Sequence, residues 1–492
     1  MTQTKSLAEL GLRAQNGEEA RITGLSVDSR EVREGHLFAA LPGARLHGAE
    51  FIQYALRMGA GAVLTDPAGA RAAREVLAGS PVPVIVTEDP RAALAFAAAL
   101  WFGRQPEVMV AVTGTNGKTS VATFVRQIWT ALGHNACNFG TTGIEGAFAA
   151  PLNHTTPEPI TLHRLLAQMA DEGVTHAAME ASSHGLDQRR LDAVRLRAAA
   201  FTNFTQDHLD YHETFDAYFA AKAGLFARVL PDEGVAVINI DDPRGEDMAA
   251  IARRREQDVI TVGRAETADL RLIGQRAETV GQELRFAWQG QARQVHLDLI
   301  GDFQASNVLA ATALAIAAGE RPDAVFDVLP GLVTVRGRMQ HVATRRNGAP
   351  VFVDYAHTPD ALATALRALR PHVMGRLLVV FGAGGDRDKG KRPLMGVAAR
   401  DHADVVFVTD DNPRSEVPAD IRAAILAACP EANEVGDRAE AILRAVDALG
   451  AGDALLIAGK GHETGQTIGD SVFPFDDAEQ ASVAVAALDG GF

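Results

Sequence analysis

The chain has 492 residues, a length that allows about three domains of ordinary size. Hydrophobic residues make up 47% of it and are dispersed, so that no apolar stretch approaches the roughly 20 residues of a membrane helix. The net charge of −15, from 47 basic and 62 acidic side chains, disfavours nucleic acid and anionic membranes as partners, because both are themselves negative.

The first block, residues 1–105, is predicted to be a small α/β domain. Its first 20 residues lack the apolar core of a signal peptide, and the two cysteines, Cys137 and Cys429, show no metal-ligand spacing, so a cytoplasmic location is predicted. Two strand-like runs, AGAVLTD and VPVIVTED, are each followed by an alanine-rich helical stretch. Such a sequence is also typical of small α/β modules in general.

The second block, residues 106–334, opens with the apolar strand VMVAV, followed by TGTNGKTS and a helical stretch that ends at Gly133. Residues 268–299 alternate apolar and polar, which predicts antiparallel strands, and a helix is predicted over 303–318. The block is therefore expected to hold a central sheet that binds a mononucleotide.

The third block, residues 335–492, alternates strands and helices with few interruptions. Its strands are VFVDYA, RLLVVFG, DVVFVTD and DALLIAG. This alternation predicts a doubly wound, Rossmann-like parallel sheet with ligands at the carboxyl ends of its strands. The predicted fold class is therefore α/β, with three domains and no internal repeat.

The segment TGTNGKTS, residues 113–120, has the composition of a nucleotide phosphate loop. Gly114 and Gly117 allow backbone N–H groups to converge on phosphates, Lys118 supplies a positive charge, and Thr119 supplies a hydroxyl for Mg²⁺. Val112 stands where the general pattern has its first glycine, so the spacing is GxxGKT. The alternative is a glycine-rich turn between strand and helix with an exposed lysine.

Two further loops follow strand-like runs and are expected at the same edge of the sheet as the phosphate loop. Glu180 begins one of them and is a natural ligand for Mg²⁺, whereas His208 in the other is a less usual ligand and is commonly structural. Lys222 stands on an otherwise apolar helix. Spacing alone favours a snorkelling lysine at that position.

The segment TGTNGKT resembles the ATP loop of the Mur ligase family, in which the short spacing is the usual variant. The resemblance implies that Thr113 to Thr119 bind ATP as co-substrate and that two Mg²⁺ ions are held. Thr119, Glu180 and His208 would be metal ligands, as would Lys222 if it is carbamylated. Lys118, Lys222, His208 and Glu180 would be the catalytic residues.

Three more segments match the family in order along the chain. GDFQASNVLAA contains Asn307, VRGRMQ contains Arg338, and VDYAHTPDAL contains Asp354 and His357. The resemblance implies that these four residues contact the nucleotide. Because the segments belong to different predicted domains, domain closure is expected to assemble the ATP site and exclude water from an acyl phosphate.

The first block resembles the uridine-nucleotide-binding domain of the family's tripeptide-forming members through VDSR and GHLFAALPGARLHG. The segments NHTTPEP and MEASSHGLDQRR match the family as well. The resemblance implies contacts with a UDP-muramoyl-dipeptide, and the residues expected to make them are Val27, Ser29, Ala44, Arg45, Leu46, Thr155, Thr156, Ser182, Gln188 and Arg190.

Loops at three strand ends of the third block are expected to converge on one pocket. Arg387 and Arg414 can each bind a carboxylate through two parallel hydrogen bonds, although they could instead pair with nearby aspartates. In the Mur ligase family, DNPR marks enzymes that add meso-diaminopimelate. The resemblance therefore implies a diaminopimelate pocket whose expected members are Arg387, Asp411, Asn412, Pro413, Arg414, Gly459 and Glu463.

The resemblance extends over nearly the whole chain and implies an ATP-dependent amide ligase of peptidoglycan synthesis. Its expected substrates are UDP-N-acetylmuramoyl-L-Ala-D-Glu, meso-2,6-diaminopimelate and ATP, and a monomer is expected. The alternatives are an enzyme of the same family that adds L-lysine, a folylpolyglutamate synthetase, and, from another class, a P-loop ATPase motor or nucleotide-dependent switch.

Overall fold

A computed structural model of the protein describes residues 3–15, 17–43, 46–152, 154–205, 211–212, 214–278 and 280–490. The chain divides into two compact units. Unit 1 comprises Met1–Leu270 with Leu309–Phe326, and unit 2 comprises Arg271–Val308 with Asp327–Phe492.

The amino-terminal part of unit 1 is a four-stranded parallel sheet with helices on both faces. Its elements are β1 (Lys5–Ser6), β2 (Arg21–Ile22), β3 (Gly24–Ser26), β4 (His36–Ala40), α1 (Ile52–Arg57), β5 (Ala62–Thr65), α2 (Pro67–Ala72), α3 (Arg74–Ala78), β6 (Val84–Val86) and α4 (Pro90–Phe102). The strand order is β3-β4-β5-β6. Helix α4 begins where the Asp89 carboxylate accepts a hydrogen bond from Ala92 N–H, and it ends at Gly103, whose φ is 73°.

The rest of unit 1 contains the predicted central sheet. The elements up to residue 270 are β7 (Val108–Thr113), α5 (Lys118–Ala131), β8 (Ala136–Gly140), β9 (Gly143–Gly146), α6 (Pro159–Asp171), β10 (His176–Glu180), α7 (Ser183–Asp187), β11 (Ala198–Phe201), α8 (Phe215–Gly224), β12 (Val235–Asn239), α9 (Gly245–Arg254) and β13 (Asp258–Gly263). The strand order is β13-β12-β11-β7-β10-β8-β9, parallel except for β9. Strands β7, β8, β10 and β11 are almost entirely buried, which explains their continuous apolar and small residues.

The remaining elements include an antiparallel pair and continue into the third of the mainly parallel sheets. They are β14 (Leu270–Ala277), β15 (Gln282–Trp288), β16 (Gln291–Leu297), α10 (Phe303–Ala317), α11 (Pro322–Val328), β17 (Gln340–Thr344), β18 (Pro350–Asp354), α12 (Pro359–Leu369), β19 (Leu377–Phe381), α13 (Lys391–His402), β20 (Val405–Val408), α14 (Pro418–Leu426), β21 (Asn433–Glu434), α15 (Arg438–Asp447), β22 (Ala454–Ala458), β23 (Gly465–Ile468), β24 (Ser471–Pro474) and α16 (Asp477–Leu488). The antiparallel pairing of β15 with β16 confirms that part of the prediction.

The sheet of unit 2 has the order β17-β18-β22-β19-β20-β21 and is parallel except for β17. Helices α12, α13 and α14 cover one face, and α15 and α16 cover the other. This arrangement confirms the doubly wound α/β prediction. Strand β22 lies between β18 and β19, and the crevice at the carboxyl ends of these strands is where such a sheet binds ligands.

Within the described ranges, none of the helices has both the length and the apolar character needed to cross a membrane.

Candidate active site

The phosphate loop lies between β7 and α5, as predicted, and its two glycines have backbone angles that other residues rarely adopt. Gly114 has φ 152° and Gly117 has φ 85°. A Cβ on Gly114 would lie 1.9 Å from Thr202 Oγ1, so a side chain at this position would collide with the neighbouring loop. Helix α5 begins directly at Lys118, which brings the free N–H groups of its first turn to the loop.

A loop after β11 holds the phosphate loop in place. Asn116 N–H donates to Asn203 Oδ1 at 2.8 Å, and Thr115 N–H donates to Asn203 O at 2.9 Å. Thr202 Oγ1 donates to Asn116 O at 2.6 Å. Strand pairing matches Phe201 with Thr113, so the two loops leave the same edge of the sheet, as expected.

Two lysine ammonium groups converge on one carbonyl oxygen of the phosphate loop. Lys118 Nζ and Lys222 Nζ donate to Gly114 O at 2.9 and 2.8 Å. Lys222 is only 1% exposed, and its Nζ lies 4.4 Å from the centre of the Tyr218 ring. The Lys222 ammonium is therefore enclosed beside the loop rather than extended into solvent, and this concentration of positive charge suits an anionic ligand.

Glu180 ends β10 at the same edge of the sheet and is 1% exposed. Its Oε1 accepts from Thr141 N–H at 2.8 Å, and its Oε2 accepts from Thr141 Oγ1 at 3.2 Å. A Cβ on Gly140 would lie 2.0 Å from Glu180 Oε1, so only glycine allows the carboxylate this position. The register of β10 pairs Glu180 with Val112, close to the start of the phosphate loop.

The residues expected to contact the muramoyl-peptide lie together around Glu180. Thr156 Oγ1 donates to Glu180 O at 3.0 Å, and Ser182 Oγ donates to Thr156 Oγ1 at 3.1 Å. Arg190 joins two members of the group: its Nη1 donates to Thr156 O at 2.6 Å, and its Nη2 donates to Gln188 Oε1 at 2.8 Å. The hydroxyl of Thr155 lies 3.2 Å from that of Thr141, which extends the network to a fifth predicted residue.

The residues expected at the uridine nucleotide follow neighbouring parallel strands of the amino-terminal sheet. Val27 and Ser29 follow β3, and Leu46 follows β4. Val27 and Leu46 are exposed, whereas Ser29 is buried at the start of a short 3₁₀ turn. The other two predicted residues, Ala44 and Arg45, lie outside the described residues, as does His208.

In unit 2, three of the four residues expected at the nucleotide form one group. Asp354 ends β18 and accepts from Met339 N–H at 2.7 Å and Ala356 N–H at 2.8 Å. Burial raises the pKa of Asp354, and the nearby charges of Arg338 and His357 oppose that shift. The fourth residue, Asn307, is buried on α10 and donates from Nδ2 to Gln304 Oε1 at 3.1 Å.

The DNPR and GKGHE segments meet at the carboxyl ends of β20 and β22, as predicted. Asn412 Nδ2 donates to Glu463 Oε2 at 3.0 Å. A Cβ on Gly459, whose φ is 117°, would lie 2.9 Å from Asp411 Oδ2, so the glycine permits close approach of the two loops. Lys460 is fully buried here, and its Nζ lies 3.1 Å from Asn412 Oδ1 and 3.8 Å from Asp411 Oδ1. The acidic groups of this pocket therefore surround an internal ammonium.

Arg414 and Pro413 lie against the loop that follows β19. Arg414 Nη1 donates to Gly385 O at 2.8 Å. A Cβ on Gly385 would lie 1.9 Å from Pro413 O, so this contact also requires glycine. Arg387 is exposed on the same loop, and a Cβ on Gly384 would lie within 4 Å of both Arg387 and Arg414. The loop after β19 and the DNPR loop thus bring the two predicted arginines close together.

Unit 1 contains two side chains whose chemistry suits Mg²⁺. Glu180 and Thr119 present the hard oxygen ligands that Mg²⁺ prefers beside phosphate oxygens. Lys222 as an ammonium repels a metal cation, so it fits a metal site only after conversion into an anion. The group therefore fits Mg²⁺ through Glu180 and Thr119.

Several residues that build these sites were missed in the sequence. A weak indication of Thr202 and Asn203 was present, because FTN directly follows a predicted strand. A similar indication was present for Lys460, which lies in the GKGHE segment. Arg438 forms a buried ion pair with Asp477, in which Nε and Nη2 each donate at 2.7 Å. No local pattern predicts this pair, because the partners are far apart in sequence. Arg438 Nη2 also donates to Ala458 O at 3.0 Å, at the end of β22.

Three family models match consecutive parts of the chain. They are described as "Mur ligase family, catalytic domain" over residues 21–101, "Mur ligase middle domain" over residues 112–315, and "Mur ligase, glutamate ligase domain" over residues 337–461.

Known proteins resemble the chain over almost its full length. Proteins of Caulobacter vibrioides and Brucella melitensis, each named UDP-N-acetylmuramoyl-L-alanyl-D-glutamate–2,6-diaminopimelate ligase, are 50% identical over 475 and 470 residues. These matches cover 95% of this chain in both cases, and 96% and 95% of the relatives. A solved structure of a ligase of the same name is 35% identical, with a TM-score of 0.76 and coverage of 99% of both chains.

Proposed function

This chain belongs to the Mur ligase family, and we propose that it joins meso-2,6-diaminopimelate to the D-Glu side-chain carboxylate of UDP-N-acetylmuramoyl-L-Ala-D-Glu, using ATP, in peptidoglycan synthesis. The observation that carries the proposal is the pocket of unit 2, where Asp411, Asn412 and Glu463 meet beside Arg414. Arginine and acidic groups together suit an amino acid with both carboxylate and ammonium ends. The names of two relatives, each 50% identical over 95% of this chain, support the same reaction.

The proposed reaction has two steps. An oxygen of the D-Glu carboxylate attacks the γ-phosphorus of ATP, ADP leaves, and an acyl phosphate forms. The free amine of diaminopimelate then attacks the acyl carbon, phosphate leaves, and the nitrogen loses a proton. The phosphate loop and Lys118 hold and neutralise the transferred group through backbone N–H groups and the ammonium.

Thr119 and Glu180 are the proposed ligands of Mg²⁺, which when bound supplies positive charge for the phosphoryl oxygens. His208 is a further proposed ligand from the family resemblance. The muramoyl-peptide is proposed to contact Thr155, Thr156, Ser182, Gln188 and Arg190. This proposal is supported by the hydrogen bonds that join these side chains to one another and to the segment around Glu180.

The contacts of Asn307, Arg338, Asp354 and His357 with the nucleotide stay predictions, as do those of Val27, Ser29 and Leu46 with the uridine moiety. The domains proposed for the chain are residues 1–105, 106–334 and 335–492. Their support is that the three family models match 21–101, 112–315 and 337–461. A cytoplasmic monomer is proposed as the working form.

Amine-dependent release of phosphate tests the proposed function. The full-length protein would be given ATP, Mg²⁺ and the UDP-muramoyl-dipeptide, with meso-diaminopimelate, L-lysine or L-glutamate as the amine. We expect turnover that depends on both the dipeptide and diaminopimelate. A preference for lysine would contradict the proposed amine, and ATP turnover at a rate that no amine changes would contradict the ligase.

We also propose that Lys222 is carbamylated in the active enzyme. The ammonium first loses one proton, and the nitrogen lone pair then attacks the carbon of CO₂ while the nitrogen loses a second proton. These steps convert a buried cation beside Gly114 O into a carbamate anion able to hold Mg²⁺. The second ammonium on that oxygen, from Lys118, favours loss of charge at Lys222. A Lys222→Ala variant should be inactive and should recover with short-chain carboxylic acids, whereas a Lys118→Ala variant should not recover. Failure of Lys222→Ala to recover would count against carbamylation.

A further inference from the structure

Three side chains form a cluster at the amino-terminal edge of the central sheet of unit 1, at the end of β10 opposite Glu180. They are His134, His176 and Glu320, and one nitrogen or oxygen atom of each lies within 4.8 Å of the others. His134 Nε2 lies 2.8 Å from Glu320 Oε1, and His176 Nε2 lies 3.9 Å from the same oxygen. Because His176 begins β10 and Glu180 ends it, the cluster and the proposed Mg²⁺ ligand are about 13 Å apart along the strand.

The backbone fixes the position of each member. His134 follows Gly133 and Glu320 follows Gly319, and these glycines end helices α5 and α10 with φ of 91° and 117°. No atom lies within 4 Å of a Cβ built on either glycine, so backbone conformation rather than crowding explains the residue type. His134 N–H donates to Trp129 O at 2.9 Å, and Glu320 N–H donates to Ala315 O at 3.1 Å.

In one of the two tautomers that the hydrogen bonds around His176 allow, the Nε2 lone pair is directed at the carboxylate. Thr175 Oγ1 donates to Asn135 O at 3.3 Å and lies 2.8 Å from His176 Nδ1. Where the hydroxyl gives its one proton to the carbonyl, it accepts from the imidazole, and the ring proton then lies on Nδ1 with the lone pair on Nε2. A lone pair and a carboxylate oxygen facing each other repel, unless a cation lies between them.

The ring of His176 is also suited to metal binding by its charge state. Burial, together with the neighbouring His134, lowers the pKa of His176 to about 4, so the ring is neutral at pH 7. Neutral imidazole is the form that binds metals, and a partner on the second ring nitrogen is the usual support for a metal-binding histidine. Helices α5 and α10 end next to the cluster, and helix carboxyl ends favour a cation.

We propose that His134, His176 and Glu320 bind one divalent transition-metal ion of the zinc type, with solvent as the fourth ligand. Ligand atoms in tetrahedral zinc sites lie roughly 3.3 Å apart, given bond lengths near 2.0–2.2 Å. The two distances to Glu320 Oε1, 2.8 and 3.9 Å, bracket that value, so shifts of about half an ångström complete the site. Two imidazoles and one carboxylate are a ligand set that zinc accepts and that Mg²⁺ does not favour.

A second group in unit 2, formed by Glu278, Glu283 and His296, provides a matched comparison. Its histidine has carboxylates at both ring nitrogens: Nδ1 lies 3.4 Å from Glu283 Oε1, and Nε2 lies 3.0 Å from Asp298 Oδ1. Such a ring can satisfy these contacts by carrying two protons, and it then has no lone pair for a metal. His296→Gln is therefore the control substitution.

The test is a titration of full-length protein, freed of metals with a chelator, with CoCl₂ in the presence of millimolar MgCl₂. Co²⁺ reports its geometry through visible absorption, and Mg²⁺ occupies sites made of oxygen ligands. We expect one equivalent of Co²⁺ with the intense absorption of a four-coordinate ion, displaced by Zn²⁺. Glu320→Gln and His134→Gln should each weaken binding more than about 100-fold, and Thr175→Val should weaken it by roughly 10–100-fold.

His296→Gln should leave the titration unchanged, and circular dichroism should show that the variants are folded. The proposal is overturned if Glu320→Gln and His134→Gln, both folded, bind Co²⁺ as the unsubstituted protein does. It is equally overturned if the unsubstituted protein shows no four-coordinate absorption, or if His296→Gln removes that absorption.

Discussion

Arg414 has a backbone conformation that is rare for its residue type. Its φ is 52°, in the left-handed region, and its N–H and C=O are held by Thr467 O at 3.1 Å and Gly469 N–H at 2.8 Å. Strand β23 thus fixes the direction of the guanidinium, whose Nη1 reaches Gly385 O. A strained residue held by its surroundings is typical of a ligand-binding position.

Replacing this guanidinium with an ammonium should cost substrate recognition. For Arg414→Lys we expect kcat/KM for diaminopimelate to fall roughly 10–100-fold, because one charge-assisted hydrogen bond contributes about 1.5–3 kcal/mol and an ammonium cannot make the planar pair. Phosphate release at varied diaminopimelate concentration measures it. Arg400→Lys, exposed and paired with Asp401, should have no effect. An unchanged kcat/KM in Arg414→Lys would remove this arginine from the pocket.

The carboxylate of Glu416 has a strongly lowered pKa, so its contribution to the pH dependence of stability can be tested. Hydrogen bonds from Arg392 first, and from Asp386 N–H next, lower its pKa to about 2. This pKa is below the value of about 4.3 for a glutamate in the unfolded chain. The ionised Glu416 carboxylate therefore adds fully to the free energy of unfolding above about pH 4.3, and this contribution is lost as the pH falls towards 2.

The pH dependence of urea unfolding tests this shift. Between about pH 5 and pH 2 the unfolding midpoint should fall less steeply in Glu416→Gln than in the unsubstituted protein, because the variant binds no proton at this position. The control substitution must remove a carboxylate that lies away from Glu416. Glu50→Gln on the amino-terminal sheet domain is suitable, and it should leave the slope unchanged. Equal slopes in all three proteins would contradict the lowered pKa.

At the scale of elements, the junction of β7, the phosphate loop and α5 depends on close approach to the loop after β11. Gly114→Ala places a Cβ 1.9 Å from Thr202 Oγ1 and gives an L-residue a φ of 152°. The loop must move by about 1 Å, and displacement of that size can reduce turnover roughly 100-fold. Steady-state ATP turnover with saturating dipeptide and amine measures the loss.

Two variants separate the collision from the mere addition of a methyl group. Gly79→Ala should be neutral, because φ at Gly79 is −90° and its Cβ would lie 3.8 Å from the nearest atom. Adding Thr202→Ala to Gly114→Ala removes the colliding oxygen and should restore part of the turnover. Full activity in Gly114→Ala alone would show that the loop does not need this packing.

At the scale of the molecule, the two groups of candidate residues belong to different compact units. The phosphate loop with Lys118, Glu180 and Lys222 lies in unit 1, and the DNPR and GKGHE loops lie in unit 2. Each unit has buried cores of its own. Binding of the amino acid without ATP should therefore change local stability in unit 2 and leave the phosphate loop in unit 1 unchanged.

Hydrogen exchange measures this separation. Diaminopimelate without ATP should slow amide exchange in residues 384–387, 411–415 and 459–467, because ligand binding suppresses local opening around the pocket. Exchange in the phosphate loop, residues 113–119, should stay unchanged, and L-alanine should have no effect. Protection centred on the phosphate loop would mean that the amino acid binds in unit 1.

Much of the fold followed from the sequence by itself. Buried parallel strands appear as continuous apolar runs, and phosphate loops require glycine and lysine at fixed spacing, so β7, α5 and the alternation of the third block were predictable. Parallel strands also bring their carboxyl ends to one edge, which predicted the meeting of the DNPR and GKGHE loops, where Asn412 contacts Glu463.

Only the tertiary structure decided which atoms touch across long sequence separations. It placed the ammonium of Lys222 on Gly114 O, enclosed Lys460 among acidic groups, and gathered His134, His176 and Glu320 at one edge. These contacts join residues between 42 positions apart, for His134 and His176, and 186 positions apart, for His134 and Glu320. No local sequence pattern encodes contacts over such separations. The sequence determines the elements through periodicity and spacing, whereas packing in three dimensions determines the charges that each side chain meets.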